Sequence, residues 1–168
     1  HATAPLLLIH AAGVSPRAGQ ADVMVRRWVG ELAAALGIAE PIDERTASDE
    51  LRNAFHDLLR RTAAKRRLIL LIDALDHFVG GSGSPLSWLT WLPTRLPENV
   101  RLLASSLPGA ESDAARTAGF ACEALPPLDE TAARRIVETL CDRYHRTLNA
   151  RVLQTLLGHR LPDGRPAC

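Results

Sequence analysis

The chain has little lysine, little cysteine and almost no net charge. Lys plus Arg number 20 against 19 Asp plus Glu, a formal charge of +1, so no overall field draws it to nucleic acid or to an anionic membrane. Cys122, Cys141 and Cys168 are odd in number and widely spaced, which supports neither a disulfide framework nor a Cys-x-x-Cys zinc site and fits a reducing, cytoplasmic compartment. No unbroken apolar run exceeds five residues, a length reached at Leu68–Ile72, far below the roughly 20 of a membrane-spanning helix. Met24 is the only methionine and His1 opens the chain without a charged-then-apolar signal pattern, so further sequence is expected upstream. What is present is 168 residues, 46% hydrophobic and 23% charged. That mix suits one globular core and excludes a chain dominated by disorder.

The apolar pattern alternates between short runs and helical periods. Leu6–Ile9, after Pro5, predicts a strand. Met24, Val25, Trp28, Val29, Leu32 and Leu36 recur at three- and four-residue spacing and predict a helix over 21–36, stopped by Gly37. A second helix, capped by Thr46 or Ser48, carries Leu51, Ala54, Phe55, Leu58 and Leu59 inward. Leu68–Asp73 is apolar on both faces, as a central parallel strand should be. Gly80–Ser84 is expected as a loop, 86–92 as a short apolar helix and Val100–Ala104 as a further strand. A helix over Ser112–Ala118 and a last strand over Phe120–Leu125 complete the α/β alternation. Beyond Pro126-Pro127 two helices without strands follow, the first burying Ala132, Ile136, Val137, Leu140 and Tyr144. The expected organisation is an α/β core over 1–126, the start of a helical subdomain over 127–158 and an irregular tail over 159–168.

Polar residues gather where two of these strands end. In open parallel sheets ligands sit beyond the carboxyl ends of the strands, which singles out Asp73, Asp76, Ser105 and Ser106. An apolar strand ending in Asp is the pattern that holds magnesium against nucleotide phosphates; the same pattern also serves as a plain turn or helix cap. A phosphoacceptor receiver domain is disfavoured, because His10 and Ala11 rather than an acid pair end the first strand and no lysine follows Lys65. His10 and His77 have neither a second metal-spaced histidine nor a paired carboxylate and read as satisfied loop residues. Trp28, Trp88 and Trp91 read as core or interface, the pairs Arg60-Arg61 and Arg134-Arg135 as solvated faces, and Ser15, Ser82 and Ser87 lack a nucleophile-elbow setting. Nothing marks a nucleic-acid partner.

Leu68–Phe78, reading LILLIDALDHF, resembles the Walker B segment of NACHT-type STAND NTPases, notably those related to nephrocystin and telomerase-associated protein. Leu86–Gly109 is similar to the stretch leading to that family's sensor 1 strand, Leu125–Leu140 to the start of its helical region, and Leu6–Ala33 to its second strand and following helix. The resemblance covers roughly Pro5 to Leu157 and implies an ASCE-type P-loop NTPase sheet that lacks its first strand. It implies magnesium and ATP, or GTP, as cofactors, Asp73 as magnesium ligand, Asp76 as the acid orienting the attacking water, and Ser105 or Ser106 at the γ-phosphate. Leu107 follows the serines where several relatives carry arginine, which leaves no arginine sensor there.

No G-x-x-x-x-G-K-[ST] motif occurs in the 168 residues, and the single lysine, Lys65, precedes the Asp73 strand rather than following a glycine loop. The phosphate loop is therefore expected upstream of His1, with loss of the motif as the alternative. In the family's sheet the missing strand lies between the sensor 1 strand and the last one, so the isolated chain is expected to be poorly stable or to aggregate, and inactive. Two functions follow. One is a nucleotide-binding switch that changes conformation or assembly in a larger protein; the other is a nucleotide-free interaction scaffold on the same fold.

Overall fold

The computed structural model describes residues 4–15, 17–78, 90–93, 95–126 and 128–158. Contacts divide the chain into two units, His1–Cys122 and Glu123–Cys168. The first unit is α/β. Its strands are β1 (Leu6–Ala11), β2 (Leu68–Asp73) and β3 (Val100–Ala104), and its helices α1 (Ala21–Leu36), α2 (Ser48–Ala63) and α3 (Ala110–Thr117). The strands form one parallel sheet in the order β1-β2-β3, with Leu6 opposite Leu68 and Leu68 opposite Val100.

Side chains alternate across a strand, so this register sorts the sheet into two faces. Leu8, His10, Leu68, Leu70, Ile72 and Val100 lie on one face and are buried. They share a core with Met24, Val25, Trp28, Val29 and Leu32 of α1 and Leu51, Phe55, Leu58 and Leu59 of α2. Both helices belong to the β1–β2 crossover, and a right-handed crossover places its helices on one side. The opposite face carries Leu7 and Ile9, Ile69 and Leu71, and Arg101 and Leu103. Leu7, Ile9 and Leu103 are 45, 47 and 63% exposed. Among the described residues this face, apolar but for Arg101, is partly open.

The ends of α1 follow its residues. Gly37 takes the left-handed φ of 68° and donates to Ala34, while Ile38 donates to Ala33, the paired closure that glycine after a helix allows. The start of α2 differs from expectation. Neither Thr46 nor Ser48 caps it; the Thr46 hydroxyl is held in a turn with Asp43, and Ser48, already helical, donates to Asp22 across to α1. Trp91 joins the core and its carbonyl accepts from the His56 ring. The Gly80–Ser84 loop, Trp88 with the rest of the 86–89 stretch, and the 159–168 tail lie outside the described residues.

No strand forms over Phe120–Leu125. Phe120 instead donates its N–H to Ala115, closing α3, and its side chain packs on the core, while 121–126 are exposed. A strand exists only as one side of a pairing, and the described sheet has nothing to pair it with.

In the second unit α4 (Glu130–Arg143) is capped by the Asp129 side chain accepting from Ala132 N at 2.6 Å, and α5 (Ala150–Gly158) begins after Asn149, whose Oδ1 accepts from Val152 N at 2.9 Å. The periods were legible, the burial was not: neither α4 nor α5 has a buried residue, and Ile136, Leu140 and Tyr144 are exposed. No helix among the described residues is long and apolar enough to cross a membrane.

Candidate functional site

The carboxyl ends of β2 and β3 meet in a small hydrogen-bonded knot. Asp73 closes β2 on the same side of the sheet as Ile69 and Leu71, opposite Ala11 of β1. Ser105, one residue past β3, prolongs the pairing: its N–H donates to Ile72 O at 2.9 Å and its carbonyl accepts from Leu75 N at 2.9 Å. Its hydroxyl donates to Asp73 Oδ1 and accepts from the Ala74 N–H at 3.0 Å. Among the described residues Asp73 Oδ2 has no partner, and the side chain is exposed.

Asp76 sits in the 3-10 turn Leu75–His77 that follows. Its Oδ1 accepts from the Leu107 N–H at 3.1 Å and its Oδ2 lies 3.7 Å from His77 Nε2. Thus Asp73 and Ser105 come together directly, and Asp76 is tied to the same post-β3 loop two residues on. Ser106 is not drawn in; its hydroxyl donates to the Leu107 carbonyl at 3.0 Å. Lys65 lies before β2, at the opposite end of the strand from Asp73.

Ala74, between the two acids, was not singled out by its sequence. It adopts φ 61° and ψ 60°, a left-handed conformation that costs a residue with a Cβ about 1–2 kcal/mol. The Ser105 hydroxyl on its N–H helps hold it there, and backbone strain of this kind concentrates at functional sites. Alanine carries no signal for such a position; glycine would have. Ala74→Gly is therefore expected to raise stability by about 0.5–1 kcal/mol in a urea unfolding curve, the relief of strain being partly offset by glycine's freedom when unfolded. A loss of stability would mean that the methyl group itself is needed.

His10, expected in a loop, is the fifth residue of β1 and buried. Its Nε2 lies 2.7 Å from Ala18 O, its Nδ1 3.4 Å from the Arg27 guanidinium, and its ring 5.7 Å from that of Phe78. Both nitrogens are engaged, which makes it a satisfied histidine as expected. No cluster of three or more His, Cys, Asp or Glu side chains suited to a metal occurs among the described residues. The site has one open carboxylate, a second acid close by, and a hydroxyl. Such a set fits a hard cation that takes one or two protein carboxylates and completes its shell with water and phosphate.

No family model matches the chain, and no solved structure matches it. NACHT and WD repeat domain-containing protein 2 of Mus musculus is 36% identical over 59 residues, 35% of this chain and 3% of its own length. A TPR repeat-containing protein of Dictyostelium discoideum is 26% identical over 113 residues, 64% of this chain and 7% of its own length. The chain thus spans a small fraction of these curated relatives, and the first of them links about a third of it to a NACHT-containing protein.

Proposed function

We propose that this chain is part of a regulatory NTPase of the NACHT kind, in which ATP or GTP bound with magnesium switches a larger cytoplasmic protein between resting and assembled forms. The observation that supports this most is the wiring of the two acids. Asp73 and Asp76 both bond the loop after β3, one through the Ser105 hydroxyl and the other through the Leu107 N–H. In this reading Asp73 is the magnesium ligand, through the carboxylate oxygen left free by Ser105. The bound magnesium supplies neutralisation of the charge on the β and γ phosphates. Asp76 orients the attacking water. Ser105 presents the Asp73 carboxylate and passes any change in its bonding to the loop that leads into α3; Ser106, turned to a neighbouring carbonyl, has the weaker claim to a nucleotide contact. The phosphate-cradling loop comes from sequence outside these residues, so the isolated chain has no turnover.

In the whole protein, magnesium-dependent binding of a fluorescent ATP analogue is expected to fall below detection in Asp73→Asn. Asp76→Asn should bind the analogue and lose hydrolysis. Unchanged magnesium-dependent binding in D73N would remove Asp73 from this role.

The repeat-containing relatives favour a second reading, a nucleotide-free scaffold that works through protein contacts or self-association. It predicts that no nucleotide binds the whole protein and that D73N and D76N leave partner capture unaltered.

A further inference from the structure

We propose that His10 is a proton-sensitive latch: as a neutral ring it ties the end of β1 to the turn at Ala18, to α1 and to the segment following Asp76, and protonation releases the turn. The geometry dictates the tautomer. Nε2 lies 2.7 Å from a carbonyl oxygen, which can only accept, so Nε2 carries the proton. Nδ1 faces the Arg27 guanidinium at 3.4 Å, which can only donate, so Nδ1 is bare. A second proton would place an N–H against an N–H of like charge, in a buried ring beside Phe78.

Among the described residues the surroundings offer no free anion to compensate. From α1 come Arg27 and, on the far side of its guanidinium, Glu31, which is already bonded to it at 2.5 Å. Arg27 also donates to the Ile9 carbonyl, which holds it in place beside the ring. From β2 comes Ile72 opposite His10, with Asp73 one residue on and on the other face of the sheet. From the turn after β2 come Phe78 and, before it, Asp76 and His77, which lie within 3.7 Å of each other. Ala18 is itself held by two bonds from its N–H to Ser15, at 3.0 Å to the carbonyl and 3.2 Å to the hydroxyl. The latch therefore closes on a turn that is already shaped.

Burial, the largest influence, lowers the proton affinity of the ring below the ordinary imidazole value; the Ala18 carbonyl acts in the opposite sense and the Arg27 charge adds to the lowering. Unfolding frees the ring to titrate near its ordinary value of about 6.5. The latch is thus fully closed above about pH 6.5, where folded and unfolded rings are both neutral, and weakens as pH falls and the open form takes up a proton that the closed form refuses.

Hydrogen exchange of the whole protein, read by mass spectrometry on peptides covering 17–20 and on peptides from α2 and corrected for the intrinsic pH dependence of amide exchange, tests this. Between pH 7.5 and 5.5 protection of the amides over 17–20 is expected to fall by up to about tenfold, with little change in the middle of α2. His10→Gln keeps a donor for Ala18 and cannot titrate, so its protection should be the same at both values; a fall in H10Q equal to the wild type's would overturn the proposal. So would equal wild-type protection at the two pH values. If H10Q does not fold, the wild type alone decides: the His10 ring nitrogens at pH 7.5 should give the NMR shifts of the Nε2–H tautomer, and an Nδ1–H or doubly protonated ring would rule the latch out.

Discussion

Leu70→Ala is expected to cost about 2–5 kcal/mol, a large part of the ~5–15 kcal/mol that holds a domain together. Leu70 is the middle of β2, completely buried, and lies on the face shared by α1 and α2. Removing its branched end loses the transfer free energy of the lost methyl groups and leaves a cavity that two strands and two helices cannot close together. Leu103→Ala is the control. Leu103 is the same residue type on the neighbouring strand, but on the open face and 63% exposed, and its truncation should stay within about 0.5 kcal/mol. Urea midpoints of the two variants at nanomolar concentration, below the onset of self-association, read by tryptophan fluorescence, measure the difference. Equal losses would mean that the face carrying Leu103 is buried as well.

The second large effect belongs to that open face. Leu7, Ile9 and Leu103 with Ile69 and Leu71 form an apolar surface beside the edge of β3, which is unpaired among the described residues, a combination that templates association. The isolated chain is expected to self-associate at micromolar concentration and to bind a hydrophobic dye. Replacing Leu7, Ile9 and Leu103 together by threonine keeps strand-compatible side chains. The triple variant should be largely monomeric by light scattering and lose most dye binding, with stability changed by no more than about 1 kcal/mol. A wild-type chain that is monomeric and melts cooperatively and reversibly would overturn the idea that this face drives association. Asp73 lies on the same side of the sheet as these residues.

The elements that the sequence announced most clearly were those whose partners lie nearby in the chain. The α1 stripe from Met24 to Leu36 and the Gly37 stop each specify a local shape, and each is found; the five apolar residues before Asp73 also form their strand, but only beside β1 and β3. Phe120–Leu125 has the composition of a strand and none of the pairing, because a ladder needs a second backbone at hydrogen-bonding distance and composition cannot supply one. Ile136, Leu140 and Tyr144 have the spacing of a buried face and remain exposed, since spacing tells which residues share a side and not what lies opposite. The caps of α2 were misread because Thr46 had a competing partner three residues back, Asp43, and Ser48 one 26 residues away, Asp22, which it meets only once the chain is folded.

By itself the sequence determined an α/β chain with Asp73 and Asp76 at the end of one strand, Ser105 and Ser106 at the end of another, and no phosphate loop within 168 residues. Only the tertiary structure decided that Ser105 rather than Ser106 bonds Asp73, that Asp76 is held by the Leu107 N–H, that Ala74 is left-handed, that His10 is clamped between Ala18 and Arg27, and that Leu7, Ile9 and Leu103 on one face of the sheet are exposed. The reason is common to all of them. Periodicity and composition act over a few neighbouring residues, whereas each of these features, apart from Ala74's own dihedrals, is a meeting of groups at least eight positions apart, set by strand register and by the side on which the helices cross.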